Sequence, residues 1–282
     1  MILIDGKQLA KKVRMRLKER AEKEQIEPKL AVIFCGNNEA SKVYIRIKSK
    51  ACEEVGIKFE EFHLDESVSE KELIDLIYKL NSEENINGIL VQYPIPKQIN
   101  LQNVANAIDK NKDVDGFNPY NIGLLDSNCP IFTPCTPLGI MKMFEEYKID
   151  LTGKKVVIIG RSNVVGKPMA ECMLNANATV TICHSKTKNL KEELLQADII
   201  ISSAGKRNIV TADMVKEGAI VIDVGTNRDE NGKLCGDVDF ENVKEKTSYI
   251  TPNPGGVGPM TVAMLLNNVI KAYEIQKYAK LK

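Results

Sequence analysis

The sequence predicts an α/β protein of two domains, the second a Rossmann-like doubly wound parallel sheet. Two observations carry this. Apolar, β-branched runs alternate with amphipathic stretches along the chain, the pattern of βαβ units around a mostly parallel sheet. The apolar run 156–159 leads into Gly160-Arg161-Ser162-Asn163-Val164-Val165-Gly166 and then a helix of small residues. Such a strand–turn–helix presents backbone N–H groups and a helix N-terminus to a pyrophosphate. At 282 residues the chain is long enough for two domains, each with its own core.

The elements follow in order. Residues 7–24 place Leu9, Val13, Leu17 and Ala21 at four-residue spacing, an amphipathic helix. A buried strand over 30–34 is stopped by Gly36-Asn37, and Ser41 is expected to cap a helix to about Val55. Residues 57–64 read as a strand, and Ser69 with Glu72 as the capping box of a helix to about Asn81. A short strand over 88–92 ends in Tyr93-Pro94-Ile95-Pro96. Regularity fades over 109–137 until Thr136 and Pro137 supply an N-cap and first position for a helix to about Tyr147. Strands are then expected near 156–160, 179–183, 198–202 and 219–224, and a final helix to about Leu281. The boundaries implied are one domain of residues 1–135 plus 262–282 and a second of 136–261.

Composition excludes several classes. The 39 basic and 38 acidic residues nearly cancel, so no field favours nucleic acid or an anionic membrane. No apolar run approaches the roughly 20 residues of a bilayer span, and the N-terminus lacks a signal-peptide pattern. Seven scattered cysteines without a Cys-x-x-Cys pair argue for a reducing, cytoplasmic setting and against a zinc site; Cys129 and Cys135 read as packing residues. With two histidines and no tryptophan, a His-rich metal centre or a Ser–His–Asp triad has few parts.

The acidic residue that holds a free ribose 2′-hydroxyl is missing about 20 residues after the glycine turn. His184-Ser185-Lys186 stands there instead and suits a 2′-phosphate, so the expected cofactor is NADP. Gly160, Arg161, Ser162, Ser185, Lys186 and Lys188 are the candidate contacts, with a solvated charged rim as the plainer reading. Asp223-Val224-Gly225-Thr226-Asn227 is a further polar turn at a strand's C-terminal end, where ligands bind in such sheets. In the first domain Tyr44 and Lys48 share a helix face, unless Tyr44 is merely packed and Lys48 solvated. Gln92 ends a strand beside two prolines, Asp115 sits in Asp-Val-Asp-Gly, and Pro254-Gly255-Gly256-Val257-Gly258-Pro259 permits close backbone approach to a flat ligand. Each of these three also has a purely structural reading, as strand-end amide, turn or tight connector.

Six segments occur together and in order: Tyr44-x-x-x-Lys48, Val91-Gln92-Tyr93-Pro94-Ile95-Pro96, Lys112-Asp113-Val114-Asp115-Gly116, Pro134-Cys135-Thr136-Pro137, Gly160-Arg161-Ser162, and the run from Pro254 to Thr261. Over essentially its whole length the chain resembles the bifunctional methylenetetrahydrofolate dehydrogenase/methenyltetrahydrofolate cyclohydrolase family. The resemblance implies NADP-dependent oxidation of 5,10-methylenetetrahydrofolate and hydrolysis of the product to 10-formyltetrahydrofolate, within one-carbon metabolism that serves purine synthesis. It implies a folate cleft between the domains. Lys48 would handle protons, with Gln92 holding Lys48 or the attacking water. Asp115 would bind the pterin's amino-pyrimidine edge, and Tyr44 would stack on the aminobenzoate ring. Pro254, Gly255 and Gly258 would line the folate, while Gly160, Arg161, Ser162, Ser185 and Thr226 would hold NADP. A homodimer through the second domain's sheet edge is also implied. Tyr93 and Thr226 depart from the Leu and Ile that many members carry at these positions. The alternatives are another two-domain NADP dehydrogenase, acting on a quinate- or shikimate-like acid, and a silent dinucleotide-binding protein.

Overall fold

The computed structural model describes residues 1–279, and the chain divides into two compact units. One comprises Lys11–Cys135 with the chain from Val262, the other Met1–Ala10 with Thr136–Thr261.

The first of these units is built on three parallel strands, Lys58–Leu64, Lys29–Cys35 and Gly88–Val91, in that spatial order. The central strand is apolar because it is covered on both faces, and Leu30 to Ile33 have no exposure at all. Helix Glu70–Ser82 begins with the anticipated capping box, both reciprocal bonds being present between Ser69 and Glu72. Its Leu73, Ile77 and Leu80 enter the same core as Ile33, Ile89 and Val91, each burial contributing about 1.5–3 kcal/mol. The cap of helix Glu39–Val55 is Asn38 rather than Ser41: the Asn38 Oδ1 accepts from the Ser41 N–H at 3.0 Å. A parallel bridge joins Ile89 to Asp113, so the segment 112–116 runs beside the strand Gly88–Val91. Gly88 is required there, since a Cβ would stand 2.6 Å from a Val114 methyl.

The second unit contains six parallel strands in the order Ile2–Leu3, Thr247–Ile250, Ala219–Asp223, Ile199–Ser202, Lys155–Ile159 and Thr179–Cys183. Counted from Lys155, the order is 2-1-3-4-5. That places the topological switch point between Lys155–Ile159 and Ile199–Ser202, where an open α/β sheet binds its ligand. The first ten residues correct the expected boundary, for Ile2 and Leu3 pair with Tyr249 and Ile250 of this sheet. Helix Cys135–Glu146 begins one residue before the expected cap, which puts Thr136 and Pro137 inside its first turn. A missing N–H is harmless there. The final helix is Val257–Ala279; its expected end near Leu281 lies outside the described residues. Among the described residues no helix is long and apolar enough to cross a membrane, and no group of three or more His, Cys, Asp and Glu side chains could hold a metal ion.

Candidate active site

Helix Glu39–Val55 projects Tyr44 and Lys48 from one face, yet the plainer reading of the pair is inverted. Tyr44 is 41% exposed, whereas Lys48 is half-buried. The Lys48 Nζ donates to Gln92 Oε1 at 2.9 Å. Burial lowers the Lys48 pKa from its ordinary 10.5, with the negative charge of Asp115 opposing that fall. The Gln92 amide is not free to turn, because its Nε2 donates to the Tyr93 carbonyl at 2.7 Å. That leaves its oxygen for Lys48. The same carbonyl accepts from Ser41 Oγ at 3.3 Å, so Ser41 serves this corner instead of a helix terminus.

Asp115 lies on the 112–116 segment, and burial raises its pKa while the Lys48 charge lowers it. Its neighbour Asp113 holds the segment. The Asp113 carboxylate accepts from the N–H groups of Gly116 at 3.1 Å, Phe117 at 3.1 Å and Asn118 at 2.8 Å, and from Asn121 Nδ2 at 2.8 Å. Gly116, at φ +76°, would place a Cβ 2.8 Å from the Pro134 nitrogen, so two segments meet there backbone to backbone. Asn268 fastens them by donating to the Val114 carbonyl at 2.9 Å and the Thr133 carbonyl at 3.1 Å. Sequence reasoning missed two residues of this corner. Cys135, read as packing, lies buried beside Asp115 with its thiol pKa pushed well up by burial and by that carboxylate. Asn268, buried on the last helix, has no signal in the sequence beyond a polar residue on an apolar face.

The glycine turn in the other unit is built as its sequence suggested. Gly160 has φ +124°, and a Cβ on it would stand 2.5 Å from Ser203 Oγ. A Cβ on Gly166 would stand 2.2 Å from the Gly160 carbonyl, so Gly166 gives the close strand–helix approach of a dinucleotide turn. Ser162 is more than a substitute for glycine, since its Oγ accepts from the Val165 N–H at 3.1 Å and so orders the turn before helix Gly166–Asn175. Arg161, Ser162, Ser185, Lys186, Lys188 and Thr226 are exposed, and the His184 Nδ1 accepts from the Lys186 N–H at 3.1 Å. Glycines without room for a Cβ, beside a helix N-terminus and exposed hydroxyl and basic groups, fit an NADP molecule. Pro254 and Gly258 are exposed and Gly255, at φ +106°, is half-buried; Asn253 donates to the Gly225 carbonyl at 2.6 Å. Lys48, Gln92 and Asp115 therefore come together in one unit, and the cofactor candidates with the 254–258 run belong to the other.

Comparison with known proteins agrees with both halves. The family described as "Tetrahydrofolate dehydrogenase/cyclohydrolase, catalytic domain" matches residues 4–115, and the family's "NAD(P)-binding domain" matches residues 134–277. A bifunctional protein FolD from Streptococcus agalactiae is 56% identical over 274 residues, covering 96% of this chain and 96% of its own length. The solved structure of the bifunctional enzyme FolD from Campylobacter jejuni is 53% identical, covers 98% of this chain and 99% of that one, and superposes with a TM-score of 0.95. The FolD of Trypanosoma brucei, solved with NADP cofactor and inhibitor, is 34% identical, with 98% of each chain covered and a TM-score of 0.93. The chain belongs to the tetrahydrofolate dehydrogenase/cyclohydrolase family.

Proposed function

We infer that this protein oxidises 5,10-methylenetetrahydrofolate to 5,10-methenyltetrahydrofolate with NADP⁺ and hydrolyses the product to 10-formyltetrahydrofolate. The observation that carries the reading is the half-buried Lys48 amine held 2.9 Å from the fixed oxygen of Gln92, in the electrostatic field of Asp115. NADP⁺ supplies the hydride acceptor. Removing hydride from a carbon between two nitrogens leaves a delocalised cation with no proton to remove, so the chain's part in that step is to position the reactants.

Hydrolysis needs proton handling, since water must lose a proton and the departing nitrogen must gain one. Lys48 performs both transfers. Burial disfavours its ammonium form, and the cationic substrate disfavours it further. Gln92, its orientation set by Tyr93, keeps the amine directed at the reacting carbon. Asp115 accepts hydrogen bonds from the amino-pyrimidine edge, Tyr44 stacks on the aminobenzoate ring, and Pro254, Gly255 and Gly258 give the folate close backbone approach. Gly160, Arg161 and Ser162 receive the phosphates, Ser185 and its basic neighbours the 2′-phosphate, and Thr226 the nicotinamide side. Thr179–Cys183 is an edge strand with Ile182 exposed, which supports a homodimer formed across that edge. The seven free cysteines support a reducing, cytoplasmic setting, and the near-balanced charge supports a protein without nucleic-acid partners.

The test is Lys48→Met. Hydrolysis of methenyltetrahydrofolate, followed by the loss of its absorbance, should vanish while NADP⁺ binding persists. Full hydrolysis in that variant would remove Lys48 from the mechanism.

A further inference from the structure

The cofactor unit contains a carboxylate that does not touch the glycine turn yet ties together the loops after Ile199–Ser202 and Ala219–Asp223. Asp237 is fully buried. Its Oδ2 accepts from Ser202 Oγ at 2.9 Å, the Ala204 N–H at 2.7 Å and the Gly205 N–H at 3.2 Å. Its Oδ1 accepts from the Lys206 N–H at 2.9 Å and from Asn227 Nδ2 at 2.9 Å. Three successive N–H groups aimed at one anion form the concave nest that in other loops holds a phosphate. Here the chain fills the nest itself. The loop after Ile199–Ser202 is thereby closed to the pyrophosphate, which leaves the Gly160 turn across the switch point to take it.

The brace reaches that turn through Ser203. Its N–H and Oγ both donate to the Ile159 carbonyl, at 2.8 and 3.0 Å, and it occupies the space a Gly160 Cβ would need. The carboxylate also holds Asn227, the residue after Thr226, beyond the end of the neighbouring strand Ala219–Asp223. Gly225 leaves room for it, since a Cβ there would stand 2.2 Å from Oδ1. Asp237 is itself held in place by Asp223, whose carboxylate accepts from the Asp237 N–H at 2.9 Å and the Val238 N–H at 3.1 Å.

We propose that Asp237 is a positioning residue for NADP. By filling the 204–206 nest and tying it to Asn227, its carboxylate sets the loops after Ile199–Ser202 and Ala219–Asp223, which together form the wall of the crevice facing the glycine turn, in the arrangement that receives the cofactor. The inference rests on the assignment of the Gly160 turn to NADP.

Asp237→Asn tests it, because either orientation of the amide turns an NH₂ group toward N–H donors. Three measurements are made on the full chain: amide exchange at residues 204–206 without nucleotide, calorimetric binding of NADP⁺, and nucleotide-free hydrolysis of methenyltetrahydrofolate. Exchange should quicken and the NADP⁺ Kd should rise roughly tenfold or more, with hydrolysis held within about twofold, as expected for losing hydrogen bonds to a charged acceptor. A Kd unchanged while exchange has risen overturns the proposal, and so does unchanged exchange. Should Asp237→Asn fail to fold, Asn227→Ala decides: a Kd raised by about threefold supports the brace, and an unchanged Kd refutes it. Failure of the wild-type chain to bind NADP⁺ would overturn the parent assignment instead.

Discussion

Burial and hydrogen bonding compete at Asp113, and the outcome is measurable. Four donors within 3.1 Å favour its charged form, yet burial, reinforced by Asp115, raises its pKa from 3.8 to about 6. At about 1.36 kcal/mol per pKa step, that difference is about 3 kcal/mol. Because the folded pKa lies above the unfolded one, folding favours the neutral acid. The stabilisation is complete below pH 3.8 and is lost as pH rises through about 6. Linkage between these two values assigns about 1.4 kcal/mol of the loss to the interval from about pH 5 to about pH 7.5. Asp113→Asn cannot titrate and serves as the reference. Urea unfolding of both proteins at the two pH values gives the wild-type minus variant free energy, which should fall by about 1.4 kcal/mol on going up in pH. Subtraction cancels the other titrating groups and the constant cost of misplacing an amide among N–H donors. A difference that stays flat or grows with pH would mean that the four donors outweigh burial, and the argument would fail.

Asp115→Asn should move the limb of the hydrolysis pH–rate profile belonging to Lys48 to lower pH. The Asp115 charge holds the Lys48 pKa up against burial, and its loss leaves desolvation unopposed; a limb that stays put or moves up refutes the coupling. Asn268→Ala leaves the Val114 and Thr133 carbonyls without their shared donor. The Val114 carbonyl keeps the Cys135 thiol as a donor, so the change should cost about 1–3 kcal/mol in thermal or urea unfolding and lower hydrolysis, with NADP⁺ affinity unchanged. A loss of NADP⁺ affinity equal to the loss of hydrolysis would instead mark general unfolding.

Much of the fold was legible because its causes are local. The face of Leu9, Val13, Leu17 and Ala21 is buried as its spacing requires, and the Ser69–Glu72 box closes because both partners lie within one turn. The failures have non-local causes. Ile2 and Leu3 carry no mark of their partners, which lie almost the length of the chain away at Tyr249 and Ile250. Ser41 is a good cap by type, but the Tyr93 carbonyl recruits its hydroxyl and Asn38 caps the helix. Lys48 shows the same limit, for helical spacing put it on a face with Tyr44 without saying which of the two would be buried.

The buried carboxylates were the hardest part of the site to see, and their neighbours show why. Carboxylates a few residues from a glycine are common in turns, so the segments holding Asp113, Asp223 and Asp237 resemble solvated loops. The distinguishing sign is the glycine. Gly236 could not carry a Cβ, which would fall 1.8 Å from Asp223 Oδ2, and Gly225 is barred in the same way by Asp237. These glycines leave space for a carboxylate that collects backbone N–H groups from its own segment and from distant ones. In a parallel sheet whose ligands bind beyond the strand ends, the sequence places Asp223 at such an end, in a ligand-facing turn. Its oxygens are instead committed to Gly225, Asp237 and Val238. Asp223 therefore shapes the strand end, while the neighbouring Thr226 stays exposed.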